Sequence, residues 1–206
     1  IGLKKKKLQL KSYNNQNKFI DIGIHKDLKK SSSFLKKVFF KPALFLDRDG
    51  VINYDLGYVH KIKDFIWTPK IKKLIKYFND KKYYVIVLTN QSGIGRGYYK
   101  ISDVEKLHSW INNSLNITGG FIDRFYYSPY YKHSKIFNSK KYLDLRKPNN
   151  GMIEKACRDF NINLKNSLFI GDQKSDLDLA KKYKIKFYML KKNKLNKILK
   201  DIKNNY

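Results

Sequence analysis

Residues 43–53 read ALFLDRDGVIN, and the fold depends on how that phrase is parsed. Ala43, Leu44, Phe45 and Leu46 make an apolar run with the length of a short strand buried on both faces, and where it stops come two carboxylates, Asp47 and Asp49. In a chain still extended there, the two side chains point the same way. Gly50 lets the backbone turn sharply, and Val51 and Ile52 carry it back onto apolar surface. Two acids this close push their pKa values apart, so the pair can serve as nucleophile or metal ligand plus acid/base. The same letters also describe a solvated turn after a strand.

Downstream, apolar runs alternate with helical periodicity, which predicts a mainly parallel sheet covered on both faces. Ile71, Leu74, Ile75 and Phe78 mark one helix, and 83–88, 121–127, 167–170 and 185–190 read as strands. Ser102 with Glu105 reads as a capping box ahead of Val104, Leu107, Ile111 and Leu115. Met152, Ile153, Ala156 and Phe160 share a helical face within 149–162, where Cys157, the single cysteine, is expected to point into the core. Further helices are expected around 175–183 and from Leu195 to Ile202.

The 206 residues suit one α/β domain plus a tail. A lone cysteine excludes an intrachain disulfide, and no apolar run approaches the roughly 18 to 20 residues of a membrane-spanning helix. The expectation is a soluble, cytoplasmic protein with no membrane partner. The net charge of +28, from 45 Lys and Arg against 17 Asp and Glu, invites a nucleic-acid reading. The lysines are spread over nearly every helix and loop, however, which is the pattern of a solvated surface, so nucleic acid is not the expected partner. A positive field still draws in phosphorylated small molecules.

Open parallel sheets bind ligands beyond the carboxyl ends of their strands. Three strands here end in groups suited to phosphate chemistry: Asp47 and Asp49, then Thr89 to Ser92, then Asp172. Thr89–Tyr99 (TNQSGIGRGYY) offers hydroxyl, amide and backbone N–H donors but lacks the GK[ST] ending of a Walker A loop. Arg146 and Lys147 precede Pro148, and Asp172 opens GDQKSD.

Taken in order, these four phrases resemble the four motifs of the haloacid dehalogenase-like phosphohydrolases. The wording TNQSGI, the loop DLGYVH at 55–60 and RKPxxGM at 146–152 are similar to the bacterial D,D-heptose 1,7-bisphosphate phosphatase branch. The resemblance covers roughly residues 42–190. It implies a three-layer α/β/α Rossmann-like fold without a large cap domain. It also implies a magnesium-dependent enzyme that removes the 7-phosphate of a sugar bisphosphate through an aspartyl-phosphate, in activated-heptose synthesis. By the same resemblance Asp47 attacks phosphorus, Asp49 is acid/base, Thr89 and Lys147 steady the phosphoryl group, and Asp47, Asp49 and Asp172 hold Mg²⁺. Arg48, Asp55, Gly57, Tyr58, Asn90, Gln91, Ser92, Arg96 and Arg146 would contact substrate. Asp176 would orient Lys147 or cap the following helix.

Two departures from the family stand out. Relatives often carry Lys after the fourth-motif Asp, where this chain has Gln173, so a contact there is expected to be lost. Ser128, Tyr130, Leu143 and Leu145 occupy the positions of a structural zinc set, so no zinc is expected and apolar packing should hold the loop 128–145. His60 falls in the substrate loop; His25, His108 and His133 are expected on the surface. Histidinol-phosphate phosphatase is the nearest rival activity. A nucleic-acid 3′-end phosphatase or binding protein, and a silent remnant kept for assembly, are more distant ones. Residues 1–41 read as a basic tail or linker. Phe19–Lys30 resembles the end of sugar-1-phosphate nucleotidyltransferase domains, and with a first residue Ile the tail could be the remnant of such a domain, making a transferase a candidate partner.

Overall fold

Strand β1 (Ala43–Leu46) sends Ala43 and Phe45 to one side of the sheet and Leu44 and Leu46 to the other, and all four are fully buried. A strand with two buried faces needs helices on both. This computed structural model describes residues 38–191 and 195–205, with Ser31 and Leu35. The tail readings, His25 among them, lie almost wholly outside those residues. Contacts divide the chain into Ile1–Lys37 and Val38–Tyr206, and the fold below is that of the second unit.

β2 (Tyr84–Asn90) and β4 (Leu168–Gly171) flank β1, with β3 (Arg124–Ser128) beyond β2 and β5 (Lys186–Met189) beyond β4. The order is β3-β2-β1-β4-β5 and every pairing is parallel. Leu44 stands opposite Val85 and Leu168, and Leu46 opposite Val87 and Ile170, so branched side chains continue from strand to strand on one face. That face is covered by α1 (Ile71–Asp80), α3 (Ile101–Asn116) and α7 (Leu195–Asn205). The other packs on α5 (Gly151–Asp159) and α6 (Lys174–Lys182). In α1, Leu74, Ile75 and Phe78 are wholly buried, each contributing about 1.5–3 kcal/mol. This is the expected three-layer parallel α/β fold. Between β1 and β2 the described residues form only a 3-10 turn at Ile62–Asp64 and α1, which leaves no inserted cap. Among the described residues no helix is long and apolar enough to cross a membrane.

Three local expectations are corrected. The Lys100 amide at the start of α3 donates to Asp103 (2.8 Å), so Asp103, not Glu105, closes that cap; Glu105 accepts from the Tyr127 hydroxyl instead. Cys157 is exposed, because it stands one residue beyond the buried stripe Met152, Ile153 and Ala156. His108 is buried on the inner face of α3, stacked on Phe125 with centroids 4.2 Å apart, while His133 is exposed as expected. Two short helices, α2 (Ser92–Gly95) and α4 (Lys140–Leu145), were not foreseen.

β1 is joined to neighbours reached by connections running in opposite directions, which opens a crevice at its carboxyl end. The acidic phrase after Leu46 falls in that crevice.

Candidate active site

Asp47 leaves β1 with its amide bound to the Ile170 carbonyl (3.1 Å), so its position is fixed by the sheet itself. Its carboxylate meets Lys147, whose ammonium lies 2.8 Å from Asp47 Oδ2, 2.7 Å from Asp176 Oδ1 and 2.6 Å from the Leu88 carbonyl. Lys147 is brought there by the loop before α5, stapled to β2 through Asn90: Asn90 Oδ1 accepts from the Lys147 amide (2.9 Å) and Nδ2 donates to its carbonyl (3.2 Å). Burial opposes the Lys147 charge, yet Asp47 and Asp176 outweigh it and hold its pKa above the ordinary value. Burial pushes Asp47 up to about 7, and Lys147 opposes that rise only in part.

An aspartate whose native pKa exceeds its unfolded value adds stability while protonated and loses that contribution as pH rises through the native pKa. Metal-free protein is therefore expected to lose melting temperature relative to Asp47→Asn as pH climbs from about 4 to about 7. Thermal denaturation of both proteins across that range checks it; a difference constant with pH would remove the role of burial.

Asp49 follows a different course. The Arg48 amide donates to Asp47 Oδ1 (2.7 Å), and the Arg48 carbonyl then accepts from the amides of Val51, Ile52 and Asn53 in a tight turn. The backbone turns here, so the two carboxylates line one cleft with largely different side-chain partners. The Asp49 carboxylate accepts from Arg48 (2.8 and 2.9 Å), Asn53 Nδ2 (2.9 Å) and Gln91 Nε2 (2.8 Å). Gln91 also donates to the Thr89 hydroxyl at 2.9 Å, joining Thr89 to the same network.

The acids that do converge are Asp47, Asp172 and Asp176, with one oxygen of each within 4.8 Å of the others. The expected metal trio of Asp47, Asp49 and Asp172 is thus met by Asp47 and Asp172, while the Asp49 carboxylate stands engaged elsewhere. Asp172 Oδ1 is buried with no hydrogen-bond partner, and Oδ2 accepts from Gln173 Nε2 (3.0 Å). Gln173 therefore keeps a contact where its lost lysine was expected to leave none. An unpartnered oxygen among hard carboxylate donors fits a divalent cation such as Mg²⁺. Asp176 performs both suggested roles, since its Oδ2 accepts from the Gln173 amide (3.0 Å) at the start of α6.

Gly50 lies against this cluster with φ +81°, and a Cβ there would come within 2.2 Å of Asp172 Oδ2. Gly50→Ala is expected to displace Asp172 and weaken magnesium activation roughly 10- to 100-fold. A magnesium titration of turnover measures this, with unaltered half-activation as the contrary result.

Around these acids lies a cleft of about 500 Å³ lined by Asp55, Gly57, Tyr58, Thr89, Asn90, Gln91, Ser92 and Arg146 as well as Asp47, Asp49 and Asp172. Asp55 Oδ1 caps the Gly57 amide (3.0 Å), and Tyr58 stands edge-on to Tyr98 (4.8 Å). Arg146 Nη1 is buried without a partner, and burial together with neighbouring Arg96 lowers the Arg146 pKa. Arg96 itself stacks over Tyr131 at 4.0 Å and does not line the cleft. Arg48 is a clearer correction: it is wholly buried beneath Asp49, out of reach of substrate. Asn90 and Gln91 have their side chains committed to Lys147 and to the Asp49 network.

Sequence reasoning underrated Asp176 and missed His108 and Tyr99. The i,i+4 step from Asp172 to Asp176 across a strand-to-helix turn was the available signal for the first. Tyr99 meets Gln91 and His60, and His108 meets Arg48 and Phe125, side chains that the assembled fold brings together.

Apolar packing does hold part of the loop 128–145, since Leu145 packs against the core, and polar ties add to it. Ser128 Oγ donates to the Tyr142 carbonyl (3.1 Å) and Phe137 packs on Tyr142 (5.0 Å), with Leu143 largely exposed.

A five-stranded parallel sheet with carboxylates converging at its switch point defines the class: a haloacid dehalogenase-like phosphatase fold. A family model described as Polynucleotide kinase 3 phosphatase matches residues 46–192, and the chain belongs to that family. Its relatives include a D-glycero-beta-D-manno-heptose-1,7-bisphosphate 7-phosphatase of Haemophilus ducreyi, 40% identical over 151 residues, covering 73% of this chain and 82% of that one. The D-glycero-alpha-D-manno-heptose-1,7-bisphosphate 7-phosphatase of Campylobacter jejuni is 44% identical over 135 residues, 66% of this chain and 73% of its own. Among solved structures, D,D-heptose 1,7-bisphosphate phosphatase from B. bronchiseptica, complexed with magnesium and phosphate, aligns with TM-score 0.63 and 26% identity, over 72% of this chain and 79% of that one.

Proposed function

We propose that the chain, through residues 42–206, is a magnesium-dependent phosphatase that removes the 7-phosphate of D-glycero-D-manno-heptose 1,7-bisphosphate. The observation that carries this reading is the meeting of Asp47, Lys147, Asp172 and Thr89 at one end of the sheet, beside Arg146, whose Nη1 is buried without a partner. Asp47 and Asp172 would hold the cation, which when bound neutralises phosphate charge facing the acids. An oxygen of Asp47 attacks phosphorus and the bond from phosphorus to the sugar oxygen breaks. Asp49 gives its proton to that leaving oxygen, so the free sugar hydroxyl departs. Asp49 then takes a proton from water, whose oxygen attacks the aspartyl-phosphate and frees phosphate and the Asp47 carboxylate. Lys147 keeps the anionic nucleophile and phosphoryl group together, and Arg146 offers its free N–H to the second phosphate.

The charge of +28 and the family's description favour a second reading, a phosphatase of 3′-phosphorylated nucleic acid ends. Against it stand the 40% and 44% identities to heptose bisphosphate phosphatases. Phosphate release should be compared on both heptose bisphosphate anomers, fructose bisphosphate, histidinol phosphate and a 3′-phosphorylated oligonucleotide, with magnesium and with chelator. The expected result is highest kcat/KM on a heptose bisphosphate, lost on chelation; a preference for the oligonucleotide would transfer the assignment to the second reading.

A further inference from the structure

Arg48 brings a guanidinium into the core and spends none of it on the cleft. Nη2 donates to both oxygens of Asp49 (2.9 and 2.8 Å) and Nε donates to Oδ1 (3.2 Å). The same Nη2 donates to the Val59 carbonyl at 2.5 Å, and Nη1 lies 3.5 Å from His108 Nε2. Val59 belongs to the loop 55–60, whose Asp55, Gly57 and Tyr58 line the cleft. On its other side Asp49 is held by Gln91, whose Oε1 accepts from the Tyr99 hydroxyl (2.8 Å), and Tyr99 stacks on His60 of the same loop (4.6 Å). Of the three side chains that hold Asp49, Arg48 and Gln91 therefore both lead to one loop, and Asn53 is the third.

A buried guanidinium costs several kcal/mol of lost hydration unless every donor is met. Here its partners are the acid, the loop and a histidine that burial and Arg48 itself keep neutral, hence able to accept. A fork that grips a carboxylate with two donors fixes its orientation as a point charge does not.

We infer that Arg48 is a positioning residue that aims the Asp49 carboxylate and ties it to loop 55–60, with His108 as its support. One guanidinium then sets both the loop's hold on the sugar and the placement of the acid/base. This rests on the reading of Asp49 as acid/base.

The leaving group separates the alternatives. A sugar alkoxide leaves only with a delivered proton, whereas 4-nitrophenolate leaves without one and makes no demand on the loop. Breakdown of the aspartyl-phosphate needs a base in either case. Arg48→Lys, which keeps charge and loses the fork, is expected to lower kcat on heptose bisphosphate about 100-fold and to raise KM. With 4-nitrophenyl phosphate it should show a stoichiometric burst near the wild-type rate, followed by slow turnover. His108→Phe keeps the stack on Phe125 and removes the acceptor; it should lower sugar turnover about three- to tenfold with the burst retained, and it carries the test if Arg48→Lys does not fold. Equal losses of burst and sugar turnover in a folded variant, or unchanged sugar turnover, would overturn the inference. Asp49→Asn in the same assay keeps the two readings apart. If it abolishes sugar turnover while the Arg48 and His108 variants do not, the positioning role alone fails; if it leaves sugar turnover intact, the acid/base reading fails beneath it.

Discussion

Replacing Asp47 by asparagine should stop turnover, by at least about four orders of magnitude, and leave the fold standing. The amide is isosteric, the Asp47 backbone is fixed by its hydrogen bond to Ile170, and the residue sits against a sheet whose β1 core is fully buried without it. What disappears is the carboxylate oxygen held 2.8 Å from Lys147 beside the cleft, the group proposed to attack phosphorus. The burial that raises the Asp47 pKa also makes its charge a strain on the native state, so the variant should melt no lower than the wild type above pH 7. Phosphate release and thermal denaturation on the same preparation measure both halves. Retained turnover would exclude Asp47 as the attacking group.

Lys147→Met should be damaging in a second way, to stability as well as rate. The ammonium is 3% exposed and lies between two carboxylates, so its removal leaves Asp47 and Asp176 facing each other in a dry site. Breaking a buried pair from one side costs about 3–5 kcal/mol, and losing one charge-stabilising donor lowers kcat about 10²- to 10³-fold. The two effects can be parted. Adding Asp176→Asn removes the uncompensated charge and should restore much of the melting temperature, with no recovery of rate. If the double variant regained activity, Lys147 would matter only as a counter-ion that holds the fold.

The central strand and its acid pair were legible because a short apolar run that stops at charged residues has few other physical solutions in an alternating β/α chain. The spacing of Leu74, Ile75 and Phe78 placed α1 on the sheet by the same kind of local signal. Asp172 and Lys147 could be matched by motif. Asp176 was offered as one partner of Lys147, but the Leu88 carbonyl that receives the same ammonium could not be read, because only the assembled sheet brings it near.

The errors share one cause. Arg48 looked like a ligand-facing charge, since a fully buried guanidinium is uncommon and nothing in the string DRDG announces the Val59 carbonyl that receives it. His108 looked like a surface residue for want of any local clue to Phe125 and Arg48. The expectation that Asp49 shares a metal with Asp47 and Asp172 missed Asp176, which the helix after β4 brings to that cluster, while Asp49 lines the same cleft with partners of its own. In each case a contact across the fold, absent from the local pattern, decided where the side chain went.

The account turns on a phosphoryl group passing through Asp47. Asp49→Asn protein mixed with 4-nitrophenyl phosphate and magnesium can form the aspartyl-phosphate, because the leaving group needs no proton, but lacks the base that breaks it down. Acid quenching and peptide mass spectrometry should then find one added phosphoryl mass on the segment 43–53, labile to hydroxylamine and assigned to Asp47. A stoichiometric burst with the phosphoryl group on another residue, or turnover with no phosphorylated peptide at all, would contradict it.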